Sequence, residues 1–276
     1  MTDWGSSTSL ITGAGQGMGK GLALAALAAG GDVVAWDLDQ PALADLVAEA
    51  DGLPGTLRVA AVDVTDRQAV AAAAAKAGRV DILVNNAGVT GQKLLVDEEP
   101  SVIERVMAVN AMALFWTTQA FLPAMLERNR GHLVTLASAA GLVPLARGVA
   151  YTASKHAAVG FHEAVRQELR QTAPGVQSTL VTPFFVNTGM FAGASTRFPW
   201  LLPVVEPDAA VASIILAVEQ DRRRLIMPSI AAASYLYQLL PASLSDFLLD
   251  QLGVSSSMTG FRGRSVEPAA SSDRGA

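Results

Sequence analysis

Tyr151 and Lys155 stand four positions apart, and Ser138 lies thirteen residues before the tyrosine. On a helix, positions i and i+4 share one face a turn apart, so this spacing sets an ammonium beside a phenol. A free tyrosine titrates near ~10, too high for base work at neutral pH. A neighbouring cation favours the phenolate and brings it toward range. The pair is therefore a candidate proton acceptor tuned by Lys155. Taken alone the spacing favours a surface tyrosine beside a solvated lysine, and the rest of the chain has to turn that reading.

The elements around it alternate short apolar runs with helical patterns, which predicts βαβ units and a parallel sheet. Strands are expected over residues 9–12, 32–36, 57–62, 81–84, 132–136, 177–181 and 226–227. A glycine turn after the first strand opens a helix ending near Ala29, and long helices are expected over 101–126 and 151–171, with another over 207–219. One domain spans 1–266; the Ser-, Ala- and Gly-rich tail 267–276 reads as disordered. The stretch 225–245 carries no charge, but Pro228 and Pro241 leave only the short run between them uninterrupted. A spanning helix needs ~20 residues. A buried or membrane-touching helix is expected there, not a transmembrane span.

Composition narrows the chemistry. Of 276 residues, 51% are hydrophobic and 16% charged, enough apolar material for one large core. A net charge of −5 and the lack of any basic block beyond residues 222–224 argue against a nucleic-acid partner. With no cysteine, disulfides, thiolate nucleophiles and Cys-ligated zinc are excluded. His132, His156 and His162 are the only histidines, and the last two do not share a helical face well, so no metal site is expected. No basic segment, apolar core and cleavage site open the chain, which makes the cytoplasm the expected compartment.

A nucleotide site is legible near the start. Thr12-Gly-Ala-Gly-Gln-Gly-Met-Gly19 follows a strand and opens a helix. Glycine lets the backbone turn tightly and approach a pyrophosphate, whose charge then sits on the helix N-terminus. Gly13, Gly17 and Gly19 fit TGxxxGxG and not the GxGxxG dinucleotide pattern. Asp37 ends the second strand, where a carboxylate accepts hydrogen bonds from adenosine ribose hydroxyls and repels a 2′-phosphate. Asp39 adds to that repulsion, and Gln16 stands in the turn where a cation would otherwise sit. NAD is expected over NADP. Asp63 and Val64, after the third strand, are expected along the adenine edge.

These motifs together resemble the short-chain dehydrogenase/reductase family over about residues 6–230. The turn Thr12–Gly19 matches its cofactor loop, Asn85-Asn86-Ala87-Gly88 its NNAG element, Asn110 the asparagine that kinks a long helix, and Ser138, Tyr151 and Lys155 its catalytic set. The resemblance implies a Rossmann-type, doubly wound sheet of about seven parallel strands with helices on both faces. The cofactor contacts it implies are Gly13, Gln16, Gly17, Met18, Gly19, Asp37, Leu38, Asp63, Val64, Asn86, Ala87, Gly88, Tyr151, Lys155, Pro183, Val186 and Thr188. One departure is Phe184, which stands where the family has glycine after Pro183. The segment Pro183-Phe-Phe-Val-Asn-Thr-Gly-Met-Phe191 resembles retinol and hydroxysteroid dehydrogenases, which act on lipophilic alcohols, many from an N-terminal membrane anchor. With eight residues before the first strand here, no such anchor is expected.

The implied reaction is reversible hydride transfer between an alcohol carbon and nicotinamide. Tyr151 would exchange the proton, Lys155 would lower its pKa and bind ribose hydroxyls, Ser138 would hold the substrate oxygen, and Asn110 would hold a water leading to solvent. Leu142, Val143, Phe184, Phe185, Met190 and Phe191 are expected to shape an apolar pocket under a lid at about 184–205, joined by Leu145, Phe198, Pro199, Trp200 and Leu201. Arg197 is the one cation in the lid, so an uncharged, hydrophobic alcohol or ketone is expected. The apolar faces of the two long helices, and the family resemblance, imply a homodimer or homotetramer. For 225–252, a subunit contact, a pocket entrance and a membrane contact all remain open. So do three other functions: an NADPH-dependent 3-oxoacyl-thioester reductase, a sugar-nucleotide epimerase, which its glycine spacing disfavours, and a non-catalytic dinucleotide sensor.

Overall fold

The computed structural model describes residues 1–261 other than 92, 192, 194–196 and 238. The tail 267–276 lies outside the described residues. Seven parallel strands form one sheet in the order β3-β2-β1-β4-β5-β6-β7. They are β1 (Thr8–Thr12), β2 (Asp32–Asp37), β3 (Leu57–Ala61), β4 (Ile82–Asn85), β5 (Gly131–Leu136), β6 (Val176–Pro183) and β7 (Arg224–Met227). The connecting helices are α1 (Gly17–Ala28), α2 (Gln40–Glu49), α3 (Arg67–Ala77), α4 (Pro100–Met107), α5 (Ala113–Arg128), α6 (Val149–Thr172) and α7 (Pro207–Glu219). Two more, α8 (Ser234–Tyr237) and α9 (Ala242–Leu252), follow the sheet.

Both faces of the sheet are covered, which is why its strands read as continuous apolar runs. Ile11, Val33, Val84 and Val181 pack beneath Leu22, Leu27, Leu46 and Ile214, from α1, α2 and α7. Their neighbours along the strands, Leu10, Val34, Leu83 and Leu133, meet Phe121, Met125 and Leu169, from α5 and α6. Strand order reverses between β1 and β4, and a crevice opens there at the strands' carboxyl ends. That crevice receives the glycine turn after β1 and the Asn86–Gly88 loop after β4.

The long helix expected over 101–126 runs from Pro100 to Arg128, and at Asn110, where the resemblance implied a kink, it carries a π turn at Ala108–Met112. Among the described residues it is the one helix long and apolar enough to cross a membrane, but Leu114, Phe121 and Met125 on it are buried in the fold. The uncharged stretch 225–245 is not one helix. It comprises most of β7, a 3-10 turn at Ser229–Ala233, α8 and the start of α9, because Pro228 and Pro241 interrupt it.

His162 on α6 illustrates what burial does to a titratable group. It is fully buried; Nδ1 lies 3.0 Å from Thr135 Oγ1 and Nε2 has no partner. Burial lowers its pKa from 6.5 to about 4. The folded chain thus binds this proton less readily than the unfolded one, and stability falls as pH drops from 6.5 through 4. The loss attributable to His162 is at most about 3 kcal/mol. In melting temperatures measured across that window, His162→Gln should show a shallower acid slope than the parent. Equal slopes would mean that His162 does not report this burial.

Candidate active site

The glycine turn is built so that side chains are excluded. Gly13 and Gly17 have φ of +65° and +56°, a region that L side chains rarely adopt. A Cβ on Gly19 would meet the Gly13 carbonyl oxygen at 2.0 Å, and one on Gly13 would meet Ala87 Cα at 2.8 Å. The turn therefore lies flat against the β4 loop. Asn86 locks the two together, donating from Nδ2 to the carbonyls of Thr12 (2.8 Å) and Gly13 (2.9 Å). The amides of Asn86 and Ala87 donate to Thr12 Oγ1 at 3.0 and 3.1 Å. Gln16 precedes α1 without a side-chain cap, and the first turn carries no acid, so the helix offers its open amides to an anion.

The adenosine end carries carboxylates. Asp37 Oδ2 accepts from Gly15 N at 2.8 Å and Oδ1 from Asp39 N at 3.0 Å, which fixes the carboxylate at the rim of the glycine turn. Leu38 beside it is 62% exposed and supplies no cation. Asp63 closes a turn by accepting from Thr65 N and Oγ1, and Val64 is buried behind it. A backbone cradle that a Cβ would fill, an uncapped helix start and an acidic ribose position fit a nicotinamide dinucleotide. The residues that would hold it are the glycines of the turn, Met18, Asp37, Asp63, the Asn86–Gly88 loop and the segment after β6.

That segment resolves the departure at Phe184. Phe184 N donates to Met227 O at 2.7 Å, prolonging the β6–β7 pairing, and its φ is not positive, so no glycine is required. Its ring is free to line a cavity. Past it, Val186 is buried and pairs with Val205. A Cβ on Gly17 would lie 3.3 Å from Thr188 Cβ, so the loop after buried Pro183 closes down on the glycine turn.

The reacting groups converge from β5 and α6. Ser138, extended at the end of β5, accepts from Ala140 N at 3.1 Å and donates to Pro183 O at 3.4 Å. Tyr151 and Lys155 are both buried, and Ser138 hydrogen-bonds the tyrosine side chain. Lys155 Nζ lies 5.7 Å from the Tyr151 ring centroid and donates to Leu136 O at 3.0 Å. Lysine was expected to tune the phenol downward. In the folded chain burial prevails: it pushes Tyr151 up to about 12, against the Ser138 hydrogen bond, and Lys155 down to about 8. The two effects have one cause, since each charge has lost its water.

Asn110 acts as a strap. Oδ1 accepts from Val89 N at 2.9 Å, and Nδ2 donates to Val89 O at 2.8 Å and to Ser154 Oγ at 3.0 Å. It so ties the loop after β4 to α6 one residue before Lys155, and the π turn presents it. A Cβ on Gly88 would sit 3.5 Å from Asn110 Oδ1 and 3.6 Å from Lys155 Nζ, so the loop after β4 lies against both groups. Sequence reasoning missed Ser154, fully buried, which relays Asn110 to the Tyr151 carbonyl at 2.7 Å. Its position between the tyrosine and the lysine was the available signal. Thr12 Oγ1, the acceptor for the Asn86 loop, was missed as well.

Ser138 and Tyr151 open onto a cavity of about 500 Å³. Val143, Phe184, Phe185 and Phe191 line it as expected, as do Leu145 and Leu201. The Tyr151 and Phe191 rings meet edge to face, with centroids 5.6 Å apart. Leu142 is buried outside the wall, and Met190, Phe198 and Pro199 do not line it. Trp200 is 80% exposed and faces away. The opposite wall is the surprise: Ile230, Tyr237, Leu240, Leu249 and Leu252 come from the uncharged C-terminal stretch and α9, which thereby forms the pocket cover. Among the described residues, no charged side chain lines the cavity. Arg197 is engaged elsewhere, with Gln251 O and over the Phe198 ring.

Known proteins with this geometry are similar along most of the chain. The family model described as short chain dehydrogenase matches residues 7–197. Epidermal retinol dehydrogenase 2 of Mus musculus is 39% identical over 266 residues, covering 92% of this chain and 85% of that protein. Estradiol 17-beta-dehydrogenase 11 of Homo sapiens is 39% identical, covering 84% and 78%. A short chain dehydrogenase/reductase from Burkholderia phymatum in complex with NAD superposes with a TM-score of 0.77 at 26% identity, covering 91% of this chain and 97% of that one. One from Sphingobium yanoikuyae in complex with NADPH gives 0.75 at 26%, covering 89% and 96%.

Proposed function

The chain belongs to the short-chain dehydrogenase family, whose fold binds a nicotinamide dinucleotide, and on that premise we propose an NAD(H)-dependent oxidoreductase acting on a hydrophobic, uncharged secondary alcohol or its ketone. The observation that carries this reading is the Ser138–Tyr151 pair facing a cavity whose described wall residues carry no charge. Relatives named for retinol and estradiol, both apolar alcohols, support the class. Solved relatives hold either cofactor, so the preference for NAD rests on Asp37 and the missing cation beside it.

In alcohol oxidation the cofactor, when bound, accepts the hydride. The chain does the rest. Ser138 holds the substrate oxygen by its hydroxyl. Tyr151 takes the hydroxyl proton and returns it in ketone reduction. Lys155 stabilises the phenolate across a short, dry gap, where Coulomb attraction is weakly screened. Asn110 and Lys155, which meet at Gly88, would pass that proton on toward solvent. The apolar wall limits water around the reacting carbon.

The same reading includes a cytoplasmic enzyme and a homodimer or homotetramer paired through α5 and α6, where Phe115 and Val149 are exposed. Peripheral contact of Leu239 and Phe247 with a membrane is compatible with it. No cationic side chain in the wall favours the acyl-thioester alternative, and an intact Ser138, Tyr151 and Lys155 disfavours a non-catalytic sensor. A panel of alcohols and ketones with both cofactors, followed by absorbance of the reduced nicotinamide, tests the proposal. Apolar secondary alcohols should be oxidised with NAD. Turnover confined to charged acyl thioesters, or none with any alcohol or ketone, would overturn it.

A further inference from the structure

Among the described residues that line the cavity, Ser138, Tyr151, Ser234 and Tyr237 carry a hydroxyl and the others are apolar. Ser138 and Tyr151 belong to the reacting end. Ser234 is different: it sits on the C-terminal cover at the start of α8, a wall built separately from β5 and α6. Its Oγ is buried and has no hydrogen-bond partner among the described residues.

Four other serines in helices and turns behave differently. Ser154 donates to Tyr151 O at 2.7 Å, Ser213 to Ala209 O at 2.7 Å, Ser245 to Ala242 O at 2.9 Å and Ser257 to Val254 O at 2.7 Å. Each spends its proton on a carbonyl three or four residues back. Ser234 does not, although the carbonyls of the preceding 3-10 turn are at hand. A buried hydroxyl left unpaired is costly, and native folds supply a partner or put the group to use. One rotation about χ1 is all a serine needs to re-aim its hydroxyl.

We propose that Ser234 recognises a second oxygen of the substrate, a hydroxyl or carbonyl distant from the reacting carbon, so that the preferred ligand is an apolar molecule with two polar ends. The inference rests on reading this cavity as the substrate site. It makes Ser234 a specificity residue: the apolar wall supplies affinity, and the hydroxyl discriminates between skeletons of like size.

Equilibrium binding to the full chain tests it independently of turnover. The probes are estradiol and the analogue lacking its phenolic hydroxyl, measured by calorimetry with and without NADH. The parent should bind estradiol about fivefold to tenfold more tightly than the analogue, the worth of one neutral hydrogen bond. Ser234→Ala should bring that ratio to about one, and Ser234→Thr, which keeps the hydroxyl, should restore it. Melting temperatures of the variants confirm that each is folded. A parent that binds both equally, or a ratio that survives Ser234→Ala, overturns the assignment and leaves the proposed reaction standing. A ratio that collapses in Tyr237→Phe and not in Ser234→Ala moves recognition to the tyrosine. Binding of neither ligand defeats the reading of the cavity itself, and this inference with it.

Discussion

Tyr151→Phe should lower kcat/KM for alcohol oxidation by about 10³-fold to 10⁴-fold, the scale of a positioned proton-transfer group. NADH binding and melting temperature should stay close to the parent's, because the ring still packs against Phe191 and Ser138 keeps its bonds to Ala140 and Pro183. The parent's pH profile should carry a matching signature. Burial holds Tyr151 up at about 12 and Lys155 down at about 8. The competent base is the phenolate, whose fraction grows with pH below 12. Oxidation should therefore rise with pH from 6 to 9. A phenylalanine variant with near-normal turnover, or a profile flat from pH 6 to 9, would exclude Tyr151 as the base.

That behaviour was only half legible in the chain. The i, i+4 spacing placed the ammonium near the phenol, and the structure has it 5.7 Å from the ring. The direction of the pKa shift was not legible, because it depends on how completely β5, the Phe191 ring and the pocket wall bury both groups. Spacing reports neighbours; it does not report lost water. The same distinction runs through the fold. Strand positions, the long helices and the crevice at the carboxyl ends follow from local patterns of apolar residues and glycine. The π turn at Asn110 has no such pattern, since an extra residue in a helix leaves the composition unchanged.

The pocket shows where sequence contrast fails. Phe184, Phe185 and Phe191 stand out as an aromatic cluster in a loop that must overhang the site, and all three line it. Met190 and Trp200 looked the same in sequence, yet they do not line the cavity, because side-chain direction in an irregular loop is set by backbone turns that no periodicity announces. The C-terminal cover was ambiguous for another reason. An uncharged run is equally a subunit contact, a membrane face or a cavity wall, and only the tertiary placement of Leu240, Leu249 and Leu252 around the cavity that Tyr151 also lines selects the wall. Ser154 and Thr12 went unnoticed because a small hydroxyl in a helix or strand is common, and their importance is in whom they bond.

Replacing Asp37 by Asn should move cofactor preference more than any other single change outside the reacting groups. In the parent the carboxylate is held by two backbone amides, Gly15 N and Asp39 N, which leaves its remaining lone pairs for ribose hydroxyls and its charge set against a 2′-phosphate. Hydrogen bonds to a charged group contribute roughly 1.5–3 kcal/mol. Losing the charge should thus lower kcat/KM with NAD about 10-fold to 100-fold, and NADP should gain because the repulsion is gone. Asparagine keeps one carbonyl oxygen for one of the two amides, so the glycine turn loses a single brace and the fold should survive. Adding Leu38→Arg supplies the missing cation at an exposed position, 62% open to solvent, where the side chain displaces nothing from the core. The double variant should prefer NADP outright, with Tyr151-dependent turnover on the same alcohols retained. The decisive readout is the ratio of kcat/KM for the two cofactors across parent, single and double variants. A parent that already uses NADP as well as NAD, or a ratio unmoved by Asp37→Asn, would show that this carboxylate serves the turn and not the cofactor's ribose.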